Sequence, residues 1–451
     1  DPLRLRNFLR AMPKGGDLHN HLSGAVYAES YLQWAADDGD CIDTAALSII
    51  KPEAADQCVA GQVTAKSALT DTTLYGDLLN AMSMYQYLPE KTHDSGHDHF
   101  FATFPRFGGV PQAHSGEMLA EVTARAQRQH EEYLELMFGL DRGQAATYAG
   151  KIAWSKDWSD DLATARQRLL AAGLLDLVPR MRSWLDTGER DWKRRSDCAT
   201  RPQGEGCGVT VRYICEIYRG LPKEQVFAQM LAGFELASVD ARVAAIDLVM
   251  PEDWHVPMHD YDLHMQMLGF LHSKYPKVHI TLHAGELAPG LVPYEGMCCH
   301  IRKAIDAGHA ERIGHGVDVM YEDRPEALLT EMAEEHIAVE INLTSNRVIL
   351  GVSGKQHPLR QYLRAGVPVV ISTDDEGVSR SEMTDELMQA VLDQSMTYTE
   401  LKQAERNSIR YSFADEATKK RLSQCLELRF AEFERDHNAE LRSCSEPLNR
   451  E

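Results

Sequence analysis

The chain lacks any apolar run long enough to cross a bilayer. One of the longest, Val243–Met250, stops far short and is interrupted by Asp247. Positive charge is scarce: 47 Lys and Arg against 68 Asp and Glu leave a formal net charge of −21. A nucleic-acid backbone or an anionic membrane is therefore not an expected partner, and the acidity reads as solubility. No glycine-rich phosphate fingerprint follows any early apolar segment, which gives a dinucleotide-binding sheet little support. Asp1 is preceded by neither a methionine nor a charged-then-apolar leader. That is expected of a processed or trimmed chain whose targeting segment is out of view. The rest is ordinary for a soluble globular protein: 43% hydrophobic and 25% charged residues over 451 positions. The length allows one large core with insertions, or two domains.

Cysteine is used sparingly but in a pattern. Six of the nine cysteines fall as near-neighbour couples in polar or terminal stretches: Cys41 with Cys58, Cys198 with Cys207, and Cys425 with Cys444. Short-loop disulfides and a periplasmic or secreted setting would account for this, and a cytoplasmic protein with scattered thiols is the alternative. The odd total leaves at least one thiol unpaired in a monomer, and Cys215, inside an apolar run, is the expected buried one.

The stretch that organises the chain is KVHITLHAGE, Lys277 to Glu286. Val278, Ile280 and Leu282 read as a buried strand. It ends at His283, and the small Ala284-Gly285 pair lets Glu286 turn back into the same space. Near the start, KGGDLHNHLSG carries His19 and His21 two apart, which in a strand places both rings on one face. Residues 25–115 are irregular, with a helix expected over Tyr75–Tyr87. His93, His97 and His99 sit in a polar cluster that reads as a solvated loop. Phe100, Phe101, Phe104 and Phe107 follow, a spacing that suits a helix packed on a core or roofing an apolar pocket.

From Ala113 onward, helices and short apolar strands alternate. Strands are expected at Glu132–Phe138, Val209–Ile217, Arg242–Met250, before His283, and at Arg312–Gly316, Ile337–Leu343 and Val367–Thr373. Helices are expected between them, including one over Tyr294–Ala307. A polar helical insertion runs from about Arg142 to Asp197, with Trp154, Trp158, Trp184 and Trp192 to pack it. With the strand at 16–21 this makes eight strands, the pattern of a parallel (β/α)8 TIM barrel; a doubly wound open sheet is the alternative. One domain over 1–451 is expected, with helical insertions after the first two strands at about 36–115 and 141–205. In a barrel the chemistry sits where strands end. The polar residues there are His19, His21, Glu135, Asp247, His283, Glu286, His315, Asn342, Asp374 and Asp375. Three histidines and an aspartate, His19, His21, His283 and Asp374, suit one zinc ion with a position left for water.

The segments MPKGGDLHNHLSGA, TLHAGE, RIGHG, LTSN and STDDEGVSR, in this order, resemble the adenosine deaminase family of the amidohydrolase superfamily. The insertions and cysteine couples are more similar to its secreted, growth-factor-like branch and to exported bacterial relatives. The resemblance runs from Met12 to about Arg380 and is weak over 36–115 and 141–205. It implies one Zn2+ per chain, held by His19, His21, His283 and Asp374. It implies hydrolysis of adenosine and 2′-deoxyadenosine to inosine and ammonia. Glu286 would protonate purine N1, His315 would help deprotonate the water, and Asp375 would face the nucleophile or N7. His21, Ser23 and Asp375 would line the substrate, a small purine nucleoside, in a monomer or homodimer.

Two positions depart from the pattern. Ser23 stands where an acidic residue usually meets the ribose 5′ hydroxyl, and Met250 stands where a glycine is common near purine N3. A 5′-modified adenosine such as 5′-methylthioadenosine is thus a competing substrate. A different amidohydrolase reaction and a catalytically inactive nucleoside-binding barrel compete with deamination itself. The other zinc deaminase design needs H-x-E with P-C-x-x-C. This sequence has no Pro-Cys and no C-x-x-C.

Overall fold

A computed structural model describes residues 1–88, 94–151 and 162–437. Eleven strands are described: β1 Gly16–His21, β2 Cys41–Asp43, β3 Ser48–Ile50, β4 Gln62–Thr64, β5 Tyr133–Phe138, β6 Thr210–Tyr218, β7 Val243–Val249, β8 His279–Ala284, β9 Arg312–His315, β10 Ala338–Ile341 and β11 Val369–Ile371. Eight of them form one parallel sheet in the order β1-β5-β6-β7-β8-β9-β10-β11. The sheet curls until its edges meet. An isolated parallel bridge joins Asn20 to Asp374. His21 N donates to Asp374 O at 2.8 Å, and Asp374 N to His19 O at 2.9 Å. This is the expected (β/α)8 barrel. Its strands are Val/Ile-rich because helices cover the outside; β7 is buried at every position.

Arg312 and Glu135 fill the barrel interior below the strand mouths. Fully buried Arg312 donates to Glu135 (2.6 Å) and Glu340 (2.5 Å) and stacks over Phe413. Glu135 also accepts from Tyr133 Oη (2.7 Å) and Phe413 N (2.6 Å). It is a brace inside the barrel rather than a strand-end site residue.

The first insertion is not purely helical. It contains a small antiparallel sheet, β3-β2-β4, beside the Cys41–Cys58 disulfide. The helix expected over Tyr75–Tyr87 lies at Thr72–Ala81, because Asp71 caps it by accepting from Thr73 N and Leu74 N. The histidine cluster is not a solvated loop from Ser95 on. Ser95 caps a helix, Gly96–Thr103, and His97 is buried; His93 lies outside the described residues. Cys198–Cys207 closes the second insertion, and Cys215 is a buried free thiol. Trp154, Trp158 and Cys444 lie outside the described residues. The helix expected over Tyr294–Ala307 is broken. A 3-10 turn, Tyr294–Met297, precedes the bonded pair Cys298–Cys299, and the helix restarts at His300. Cys299 has φ 82°, which a continuous helix cannot contain.

Candidate metal centre and its pocket

β1 projects His19 and His21 inward two residues apart, as period-2 geometry requires. His283 comes from the end of β8, and Asp374 from just beyond β11. Their ligating atoms converge. His283 Nε2 lies 3.1 Å from His19 Nε2 and 3.3 Å from His21 Nε2. Asp374 Oδ1 lies 3.4 Å from both His19 Nε2 and His21 Nε2. Atoms about 2.0–2.1 Å from a tetrahedral zinc are spaced roughly 3.3–3.4 Å apart. The residues present therefore fit that ion.

The other nitrogen of each ring is also committed. His19 Nδ1 meets Glu340 at 2.7 Å, His21 Nδ1 meets Glu216 at 2.8 Å, and His283 Nδ1 meets Asp247 at 2.8 Å. A carboxylate behind each imidazole fixes its orientation and raises its basicity, the usual support of a metal-bound histidine. Burial alone would lower the His19 pKa, but its bonds to Asp374 and Glu340 hold it well above the ordinary value. His21 is likewise raised, to about 9, by Asp375 and Glu216 against burial. The cage attracts positive charge, which a divalent cation would supply.

His315 groups with His19, His283 and Asp374, their ligand atoms within 4.8 Å of one another, while His21 groups with Asp374 and Asp375; the surroundings of His315 nevertheless differ from those of the other three histidines. Among the described residues no carboxylate hydrogen-bonds its ring; the amide of Asn346 lies 2.9 Å from Nδ1 and can serve either tautomer. Its Nε2 lies 3.9 Å from Asp374 Oδ2. Burial, with the charge of His19 and against the pull of Asp374, keeps it well below its usual pKa and therefore neutral. Two glycines permit these approaches. A Cβ on Gly314 would stand 2.8 Å from the His19 ring, and one on Gly24 would occupy the space of the Asp375 carboxylate.

Glu286 is buried beside the cage, 3.6 Å from His315 Nδ1, with Oε1 otherwise without a partner. Desolvation, reinforced by the charge of Asp374, raises it to about 8. Asp375 is raised well above the carboxylate range by burial and Asp374, and its Oδ1 has no hydrogen bond. Glu252 behaves oppositely. It accepts from Gly285 N (3.1 Å), Glu286 N (2.8 Å) and His300 Nδ1 (2.5 Å). Burial opposes its charge, but His300 and Arg219 hold it at about 2. It anchors the turn that aims Glu286.

The sequence brought together His19, His21, His283, Glu286, His315, Asp374 and Asp375, and they are neighbours here. Asp247 and Asn342 are supports: Asp247 backs His283, and Asn342 lies 3.4 Å from His315. Glu216, Glu340, Glu252 and Asn346 were missed. The signal for Glu216 and Glu340 was a lone acid inside an apolar strand, CEIY and AVEIN. Above the cage opens a cavity of about 340 Å³. Its walls include His21, His283 and Asp374 of the cage, Ser23, Met250 and the expected aromatic roof, Phe100, Phe101, Phe104 and Phe107. Met250 has φ 85°, a backbone better suited to glycine.

Residues 197–427 match the family model described as adenosine deaminase. The adenosine deaminase of Pectobacterium atrosepticum is 35% identical over 190 residues, 42% of this chain and 51% of that protein. The chain thus spans about half the length of that curated relative. Among solved structures, Arabidopsis ADAL complexed with IMP matches with a TM-score of 0.61 at 20% identity, over 95% of this chain and 99% of that one. An amidohydrolase from Burkholderia ambifaria with bound Zn matches with a TM-score of 0.59 at 19% identity, over 96% and 94%. At these identities the structural matches speak to the fold.

Proposed function

This chain belongs to the adenosine deaminase family, and from that premise we propose that it is a zinc-dependent deaminase of adenosine and 2′-deoxyadenosine. One observation carries the reading. His283 Nε2 and Asp374 Oδ1 each lie 3.1–3.4 Å from the Nε2 atoms of His19 and His21, each imidazole is backed by a carboxylate, and a buried Glu286, raised to about 8, adjoins them. His19, His21, His283 and Asp374 would hold the zinc, which would supply Lewis acidity enough to lower the pKa of water there to near neutral.

The chain's own groups do the rest. Glu286 gives its proton to purine N1, which makes C6 electrophilic. His315, neutral and fixed by Asn346, assists deprotonation of the water that adds at C6. Asp375 presents an unpaired carboxyl oxygen to the nucleophile or to N7. The proton that His315 takes from the water passes to the amino group, which leaves as ammonia, and the hydroxyl proton returns to Glu286 as C6 becomes a carbonyl, so the products are inosine and ammonia. Glu252 fixes the Glu286 turn, so the acid meets N1 without reorganisation. The disulfides Cys41–Cys58 and Cys198–Cys207 support a periplasmic or secreted setting.

The test is metal analysis of the purified protein together with loss of absorbance on conversion of adenosine. One zinc per chain with turnover is expected. A zinc-loaded protein that turns over no purine nucleoside would sink the reading.

A further inference from the structure

The cavity above the cage is divided in its chemistry. Its lining combines the polar and acidic groups His21, Glu216, Glu286, Asp374 and Asp375 with the apolar side chains Phe101, Phe104, Phe138, Trp254, Met250 and Ile349. Away from the cage, its polar side chains are Ser23, Gln112 and Tyr218, and the Tyr218 hydroxyl already donates to Glu216 at 3.2 Å. Among the described residues no lysine or arginine lines it. Trp254 is 41% exposed and Phe101 and Phe104 are half-buried, so aromatic surface faces an open cavity. Met250 and Trp254 both pack over Gly220 and form one continuous apolar wall.

We infer that the preferred substrate carries an apolar group at its 5′ position, of the 5′-deoxy-5′-alkylthioadenosine class, and that this aromatic wall is its subsite. The inference rests on the proposed purine deamination. In that reading N1 and C6 face Glu286 and the cage. N9 is on the far edge of the base, so the sugar and its 5′ end project into the aromatic part. A 5′ hydroxyl there meets only the neutral side chains of Ser23, Gln112 and Tyr218 and is otherwise desolvated against rings. A 5′ phosphate meets no cation and a chain of net charge −21. A thioether or alkyl chain loses nothing on leaving water and packs well against Met250 and the rings. Each methylene buried should raise kcat/KM roughly fourfold, about 0.8 kcal/mol.

The experiment compares adenosine, 5′-deoxyadenosine, 5′-methylthioadenosine, 5′-butylthioadenosine and AMP on the zinc-loaded protein. The ratio of kcat/KM for the butylthio over the 5′-deoxy substrate should be at least about tenfold, and AMP should be poorest. Trp254→Ser and Phe104→Gln should collapse that ratio several-fold. Quenching of tryptophan fluorescence should report tighter binding of 5′-butylthioinosine than of inosine, independently of turnover. Trp254 is exposed, so its variant remains informative if Phe104→Gln does not fold. Adenosine turnover with a flat or falling alkylthio series would overturn this inference and leave the deaminase reading standing. No turnover of any nucleoside would overturn both.

Discussion

Burial and the charge of Asp374 keep Glu286 protonated up to about pH 8, which sets two opposed expectations for one residue. As an acid it works below that pH, so activity should fall as pH rises through about 8. Glu286→Gln keeps the shape and removes the proton donor; kcat should drop at least about 100-fold with zinc retained. The same raised pKa means the fold holds a proton that the unfolded chain releases above its ordinary value of 4.5. Stability is therefore lost as pH rises from there towards 8, and Glu286→Gln should unfold at a higher temperature than the parent near pH 8. Near-normal turnover in the variant would remove Glu286 from the mechanism. The cage makes a second expectation. His19→Ala or Asp374→Ala should lose zinc and activity together, whereas Glu340→Gln, which removes the charge behind His19 and also from Arg312, should weaken zinc binding by roughly 10–100-fold. Full zinc occupancy in His19→Ala would show that the ligand set is wrong. The cage was legible because period-2 spacing and strand ends fix where a side chain points. Its supports were not. Glu135 and Glu340 present the same signal, a lone acid in an apolar strand, yet one holds a ligand histidine and both grip Arg312. Only the three-dimensional partner distinguishes them.

The alternation of helix and strand was readable because each strand is a short β-branched run ended by a polar residue. The inserted elements carry no such period, and the roof helix Gly96–Thr103 shows why they were misjudged. Its first turn is polar enough to read as loop, but His97 Nε2 finds Asp253 at 2.9 Å, 156 residues away in sequence. His97 also meets Asp98 at 3.0 Å. Burial opposes protonation, yet Asp253 and Asp98 raise His97 to about 9. A raised histidine stabilises its contact fully below the unfolded value of 6.5. That contribution is lost as pH rises through about 9. Because Asp253 lies next to Trp254, this pair ties the roof to the opposite wall of the cavity. His97→Gln or Asp253→Asn should loosen the roof and raise KM several-fold with a smaller change in kcat. Limited proteolysis within 94–107 should accelerate in either variant. Equal proteolysis and an unchanged KM would show that the roof is held by its phenylalanines alone.

A barrel closes only if its first and last strands pair, and here that seam is thin. β1 and β11 share a single isolated bridge, Asn20 with Asp374, and β11 spans only Val369–Ile371. Around it, Asn20 Nδ2 donates to Thr373 Oγ1 at 3.1 Å, and Thr373 also bonds Asp17. The proposed zinc ligands straddle the same seam: His19 and His21 lie on β1, Asp374 lies just after β11, and His283 joins from β8. An ion bound to all four would therefore staple the barrel shut as well as serve chemistry. Removing it leaves buried carboxylates and imidazoles facing one another across the least-paired junction of the sheet. A ligand present at a thousand times its dissociation constant stabilises by about 4 kcal/mol. Chelation should therefore lower the unfolding temperature, and zinc, added back, should restore it. Hydrogen exchange should localise the loss: amides of β1 and of residues 369–375 should exchange faster in the apo protein, while β6 and β7, paired along most of their length, should change little. The arrangement would be purely catalytic, with no share in holding the barrel, if verified removal of zinc left both the unfolding temperature and seam exchange where they were.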